Sequence, residues 1–247
     1  MKQTPLLTLK QRHTDILLLL FRFRFLTRPQ IQQLLTLKNH QKVLRWLNEL
    51  AKSQYATKYQ SSVSSVATYS LGRAGRKYLV KNKLVKQAVL LDRVWREYAY
   101  SSGFREKCLL IADMYLQLVA RSGGALRFWT KSELHGVENM IEPAPDAYII
   151  VNEKSEADRI FLEVPTVART KNVMAQIERY SEYFFSREWQ EHTDKPFPKI
   201  VIICPNRNVI KSTLSFIKEE FADEPDLRFR VASSDQALEE ILPKEKA

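Results

Sequence analysis

Residues 27–52, TRPQIQQLLTLKNHQKVLRWLNELAK, decide the fold of the first third of the chain. Thr27 is a capping residue, and Pro29 falls in the first helical turn, where its missing N–H costs nothing. Ile31, Leu34 and Leu35 then recur on one helical face. The run breaks at Leu37-Lys38-Asn39. A second helix is expected over 40–52, with Leu44, Leu47 and Leu50 buried and Val43 or Trp46 completing the stripe. Two short helices joined by a tight break are a helix-turn-helix.

The flanks extend that reading. Upstream, 8–25 is a periodic apolar run with Ile16, Leu17, Leu20 and Phe23 or Leu19 on one face. Downstream, QYATKYQ (54–60) and VATYSL (66–71) are strand-like, and the polar tip SSVSS (61–65) joins them as a hairpin. GRAGRK (72–77) leads into a further short helix. Helix, short helix, helix, hairpin, helix is the order of a winged helix-turn-helix.

Charge supports a polyanion partner. The 247 residues carry a net charge of +11. Residues 1–100 hold 19 Lys/Arg against Asp15, Glu49, Asp92 and Glu97, a balance of +15. Residues 101–247 hold 20 basic and 24 acidic residues, a balance of −4. Lys/Arg left almost unopposed by acids over one stretch are the footprint of duplex phosphates, because neutralising them releases condensed counterions. In a winged helix the helix over 40–52 enters the major groove. Asn39, His40, Gln41, Lys42, Arg45 and Asn48 lie at its start or on faces the core does not need, and these residue types suit base edges. Lys38, Lys52 and Lys58 are expected as phosphate contacts, and Arg28 as a further DNA-binding residue. Phe21-Arg22-Phe23-Arg24-Phe25 has two readings: rings that stack bases of a single strand, or core phenylalanines beside solvated arginines.

No 18-residue apolar run and no signal peptide are evident, so a cytoplasmic protein without membrane attachment is expected. Cys108 and Cys204 lie far apart in apolar stretches and are expected buried and reduced. The four histidines and two cysteines show no metal-ligand spacing. Residues 81–102 are expected as a basic helical connector and 103–247 as an α/β domain. That domain begins with a helix over 104–120. Strands follow over 126–134, 145–152 and 159–164, then a helix over 172–189, a strand over 199–204, a helix over 208–221, a strand over 227–231 and a last short helix.

Its chemistry centres on two carboxylates. Asp146 and Glu163 sit inside apolar strands, PDAYIIV and RIFLEV. On adjacent strands of a hairpin they can meet at one end of a sheet and hold Mg²⁺, which would activate water for phosphodiester cleavage. Glu106, Glu133 and Gln176 are further candidates. The alternative is that the pair is surface charge.

FRFRFLTRPQIQQLL (21–35), ATYSLGRAGRKYL (67–79), PDAYIIV (145–151), FLEVPT (161–166) and ERYSEYF (178–184) together resemble the replication-relaxation proteins of plasmids and other mobile elements. The resemblance implies an α+β, α/β chain: a winged helix-turn-helix (1–80) fused to a restriction-endonuclease-like domain (103–247). It places Asp146 and Glu163 at the two acidic positions of that nuclease pattern. The lysine expected two residues after the second acid is Pro165 here, and Arg169 or Lys171 would have to replace it. The expected function is therefore specific double-stranded DNA binding by a homodimer, with no cofactor required, serving replication, transfer or transcriptional control, with replication or transfer proteins as candidate further partners. The rivals are a Mg²⁺-dependent endonuclease using Asp146 and Glu163, and a ligand- or partner-sensing repressor.

Overall fold

The computed structural model describes residues 8–62, 64–86, 91, 101–151, 158–166, 169–204 and 206–242. Most of the expected connector, 81–102, lies outside the described residues. Two compact units are present, 1–116 and 117–247. The division expected at 102/103 falls at 116/117, inside a helix.

The first unit is a winged helix-turn-helix. Helix α1 (Gln11–Phe23) precedes strand β1 (Phe25–Thr27), and α2 (Arg28–Leu34) and α3 (His40–Lys52) follow. The wing is β2 (Ala56–Tyr59) and β3 (Thr68–Leu71), and α4 (Arg73–Lys81) closes the motif. Ile16, Leu17, Leu20, Phe23, Ile31, Leu47 and Leu50 are buried as expected. Val43 completes the α3 stripe, while Leu34, Leu35 and Leu44 are only half-buried.

The α2 start is a reciprocal cap. The Gln30 backbone N–H donates to Thr27 Oγ1 (3.3 Å), and the Thr27 N–H donates to Gln30 Oε1 (2.9 Å). The Gln30 amide nitrogen is not spare. It donates to the Leu109 carbonyl (3.0 Å) and to Asp113 Oδ1 (2.7 Å) on α5 (Ser102–Ser122). Phe104 and Tyr115 of α5 meet Phe25 and Phe23, with ring centroids 6.1 and 5.4 Å apart. The start of α5 is therefore part of the first unit's core.

Sequence periodicity places the end of α1 two residues late and misses β1. Arg24 has φ 68°, which ends the helix, and Phe25–Thr27 pair antiparallel with Ser70–Thr68 in the sheet order β1-β3-β2. Of FRFRF only Phe25 is in the strand, and Phe21–Phe23 stay helical. Phe21, Phe23 and Phe25 are buried as the core reading expects, but Arg22 and Arg24 are half-buried, not solvated, and Arg22 packs over the rings of Phe23 and Tyr115.

The second unit is a mixed α/β domain. Its five-stranded sheet runs β4-β5-β6-β7-β8: β4 (Leu126–Thr130), β5 (Ala147–Val151), β6 (Asp158–Glu163), β7 (Lys199–Ile203) and β8 (Phe229–Ala232). The first three strands are antiparallel, and β6, β7 and β8 are parallel. The crossovers are α7 (Thr170–Phe185) with α8 (Glu188–Thr193), and α9 (Arg207–Glu220); α6 (Lys131–Leu134) follows β4, and α10 (Ala237–Ile241) is the last helix among the described residues. Two expected elements are shorter than read. Residues 131–134 coil as α6, because Glu133 reaches back to cap it. The helix from 170 stops at Phe185, because Arg187 turns left-handed (φ 63°) before Trp189 is buried. Cys108 and Cys204 are buried and are not joined in a disulfide.

Two glycines let α4 sit on the wing base. A Cβ on Gly75 would stand 2.2 Å from the Tyr55 carbonyl oxygen and 2.9 Å from Leu71 Cδ1. Gly72, whose N–H donates to Tyr55 O (2.8 Å), faces the Gln54 carbonyl as closely. Backbone cannot yield as a side-chain tip can. Gly75→Ala is accordingly expected to cost the first unit about 1–3 kcal/mol, as overpacking does. Urea unfolding of the full chain checks this, and a midpoint equal to wild type would contradict the close approach.

Candidate functional site

The outward face of α3 follows from its inward one. Asn39 caps the helix, its Oδ1 accepting from the Lys42 N–H at 3.1 Å. Burial of Val43, Leu47 and Leu50 fixes the helix's rotation. His40, Gln41, Lys42, Arg45 and Asn48 are then exposed, and so is Asn39 itself. Lys38 and Lys52 flank the helix, exposed at either end, and Lys58 is exposed on the wing strand β2. Arg28 departs from this group. It is half-buried on α2 and donates to Gln32 Oε1 (3.0 Å). It also lies close enough to the Tyr69 phenol to offset part of the rise that burial imposes on that group.

The acidic pair is built by strand register. Ala147 faces Leu162, and the Asp146 N–H donates to the Leu162 carbonyl (3.0 Å), so Asp146 and Glu163 are the next pair along. Both side chains are 2% exposed, inside the fold and not on its surface. Asp146 Oδ2 accepts from the Val164 N–H (2.8 Å), and Oδ1 lies 3.9 Å from Lys131 Nζ at the start of α6. Three residues of α7 serve Glu163. Tyr180 OH and Arg179 donate to Oε1 at 2.7 and 2.8 Å, and the Gln176 amide donates to Oε2 at 3.2 Å. Arg179 also donates to the Pro143 carbonyl and stacks over the Tyr180 ring, 4.8 Å from its centroid.

These contacts reassign the candidates. Gln176 joins the pair. Glu133 does not, because its carboxylate accepts from the Thr130 N–H (2.8 Å) to cap α6. Glu106 is exposed on α5 within the first unit. Arg169 and Lys171 are exposed, and the cations at the carboxylates are Lys131 and Arg179 instead. A Mg²⁺ site needs carboxylate oxygens open to the ion. Here an arginine, a tyrosine, an amide and a backbone N–H occupy them, and a lysine stands by. That donor set does not fit Mg²⁺. Among the described residues no group of three or more His, Cys, Asp or Glu side chains is arranged to hold a metal.

Burial first, and the Asp146 carboxylate second, push the Glu163 carboxyl up to about 7; Lys131, Tyr180 and Arg179 pull it the other way. Desolvation wins because the charged form has lost its water.

The pattern that defines the replication-relaxation proteins matches residues 17–200, taking in the helix-turn-helix, the wing and the acidic pair. The chain belongs to the replication-relaxation family. None of the curated protein sequences matches it. Among solved structures, this replication-relaxation protein is similar to the adhesin competence repressor AdcR of Streptococcus pyogenes, with 18% identity over 46% of this chain and 81% of that one and a TM-score of 0.28. It is also similar to the restriction endonuclease FokI, with 14% identity over 92% of this chain and 42% of that one and a TM-score of 0.37. FokI bound to DNA gives 12%, 92%, 43% and 0.33. The chain spans less than half the length of FokI, and overlaps this loose do not bear on the role of either unit. Among the described residues no helix is long and apolar enough to cross a membrane.

Sequence reading of this family member missed Lys131, Arg179 and Tyr180. Arg179 and Tyr180 stand three and four residues after Gln176, helical spacing that puts all three on one face of α7. It also missed His13, a polar residue inside the apolar stripe of α1.

The Glu163 shift has a consequence for stability. Its folded pKa is above its unfolded one, so the folded state holds the extra proton between about pH 4.5 and 7. The stabilisation is complete below about 4.5 and is lost as pH rises through 7, a change on the order of 3 kcal/mol. Glu163→Gln should lack that decline, so the difference between variant and wild-type unfolding free energies should change by that amount from pH 4 to 8. A parallel pair of curves would place the proton elsewhere.

Proposed function

We propose that this chain is a double-stranded DNA-binding protein of a plasmid or other mobile element. Its α3 enters the major groove of a specific site that serves replication, transfer or transcriptional control. One observation carries the reading: the buried stripe of α3 turns Asn39, His40, Gln41, Lys42, Arg45 and Asn48 outward together. Lysine and arginine suit guanine O6 and N7, and asparagine and glutamine suit adenine N6 and N7. Lys38, Lys52 and Lys58 border that face and take phosphates, which set register without reading sequence. The balance of +15 over residues 1–100 supplies long-range attraction. A homodimer on two half-sites about one helical turn apart is the assembly that suits such a motif, and binding itself calls for no metal. The matched family supports a role on mobile elements.

The second unit is proposed to have kept a nuclease-like fold without hydrolysis. The observation behind this is the occupancy of the carboxylates: Glu163 is held by Arg179, Tyr180 and Gln176, and Pro165 stands in the lysine position. Proline carries no group able to polarise water.

Arg45→Ala is expected to weaken binding to the cognate duplex by about 1–3 kcal/mol, the worth of a bidentate base contact, and to leave scrambled duplex much less affected. Fluorescence anisotropy at two salt concentrations reads both quantities. Equal losses on the two duplexes would make Arg45 a phosphate contact. Supercoiled plasmid incubated with Mg²⁺ or Mn²⁺ should stay intact with wild type and with Asp146→Ala alike. Nicking by wild type alone would restore the endonuclease reading.

A further inference from the structure

We propose that buried His13 and the Glu49 carboxylate are positioning residues that hold the Arg45 guanidinium ready for a base edge. The proposal rests on the reading of α3 as the groove-reading helix.

Glu49 is out of place by charge. It is one of four acidic residues in the first hundred, and it lies on α3 one turn beyond Arg45. A carboxylate beside a phosphate-facing surface repels the ligand unless it is engaged. The engagement comes from α1. His13 is 1% exposed, and its ring is edge-on to Trp46, 6.5 Å between centroids at 88°. The Lys10 N–H donates to His13 Nδ1 at 3.2 Å. A backbone N–H only donates, so Nδ1 bears no hydrogen and the neutral ring carries it on Nε2. Nε2 lies 3.0 Å from Glu49 Oε2 and donates to it.

One Glu49 oxygen is thus pinned to a ring that the core holds still. The other, Oε1, lies 3.8 Å from Arg45 Nε, and the Arg45 side chain is 66% exposed. An exposed pair four residues apart holds little by itself, because two flexible side chains must be ordered together. Anchoring the acid at His13 removes one of those costs. Contact through Nε leaves the two terminal guanidinium nitrogens, the pair that a guanine edge accepts side by side. Preorganisation of this kind favours the matched base over the mismatched one. The acid adds a second bias, since it lowers affinity for phosphates presented without the matching base.

The test first recovers a cognate duplex by selection from a random pool with the wild-type full chain. The ratio of cognate to scrambled affinity is then measured for wild type, Glu49→Gln, His13→Gln and Arg45→Ala. Glu49→Gln is expected to lower that ratio about tenfold, with tighter binding to scrambled duplex as the negative charge is lost. His13→Gln keeps a donor for Glu49 and should retain more of the ratio. A merely structural role for Glu49 would weaken both duplexes together and leave the ratio unchanged. An unchanged ratio in Glu49→Gln, with a lowered one in Arg45→Ala, overturns the proposal and spares the DNA reading. An unchanged ratio in both overturns base reading by Arg45, and the proposal with it. Nitrogen-15 NMR of the free protein provides an independent check: a His13 ring with its hydrogen on Nε2 is expected, and one with it on Nδ1 overturns the relay.

Discussion

Three side chains fix the roll of α3. Each residue turns a helix by about 100°, so burying Val43, Leu47 and Leu50 leaves the helix one rotational setting. A fully buried aliphatic side chain contributes roughly 1.5–3 kcal/mol relative to exposure, so three of them outweigh any single polar contact on the far side. The outward row from Asn39 to Asn48 inherits its direction from that packing. So does Glu49, which the same rotation brings to His13. The apolar stripe and the polar network agree, and that agreement is what makes one face of the helix definite.

In the second unit the corresponding constraint is strand register. A slip of one residue between β5 and β6 would send every side chain to the opposite face and part Asp146 from Glu163. The register observed puts them side by side beneath α7, on the face that carries Tyr148 and Phe161. Two buried acids next to each other are costly, and the fold answers with Arg179, Lys131, Tyr180 and the Val164 N–H. Arg179 and Tyr180 tie α7 to the sheet, and Lys131 ties α6. The acidic pair is the centre of a polar knot that fastens α6 and α7 to the strand ends.

Much of this was legible in the sequence, for identifiable reasons. Thr27, Pro29 and Asn39 are local signals, so the boundaries of α2 and α3 could be read to within a residue or two. The acidic pair was legible because a lone Asp and a lone Glu inside apolar strands demand company. What could not be read was set by partners distant in the chain. Phe25–Thr27 become a strand only because β3 is there to pair with them. Glu133 is the exception, since the Thr130–Glu133 spacing is a local capping signal that the strand reading of 126–134 hid. The cation beside Asp146 arrives from Lys131, fifteen positions upstream and outside any motif. His13 is the same case, since its partner stands 36 residues away.

The Gln30 amide joins two stretches of chain that sequence alone would separate. Its donation to Leu109 and Asp113, with the Phe25–Phe104 and Phe23–Tyr115 ring contacts, makes the opening half of α5 a structural part of the first unit. The portable module is therefore longer than the motif that names it. A transplant of the first unit must keep α5 through Tyr115, or it inherits a polar hole where a donor used to be satisfied.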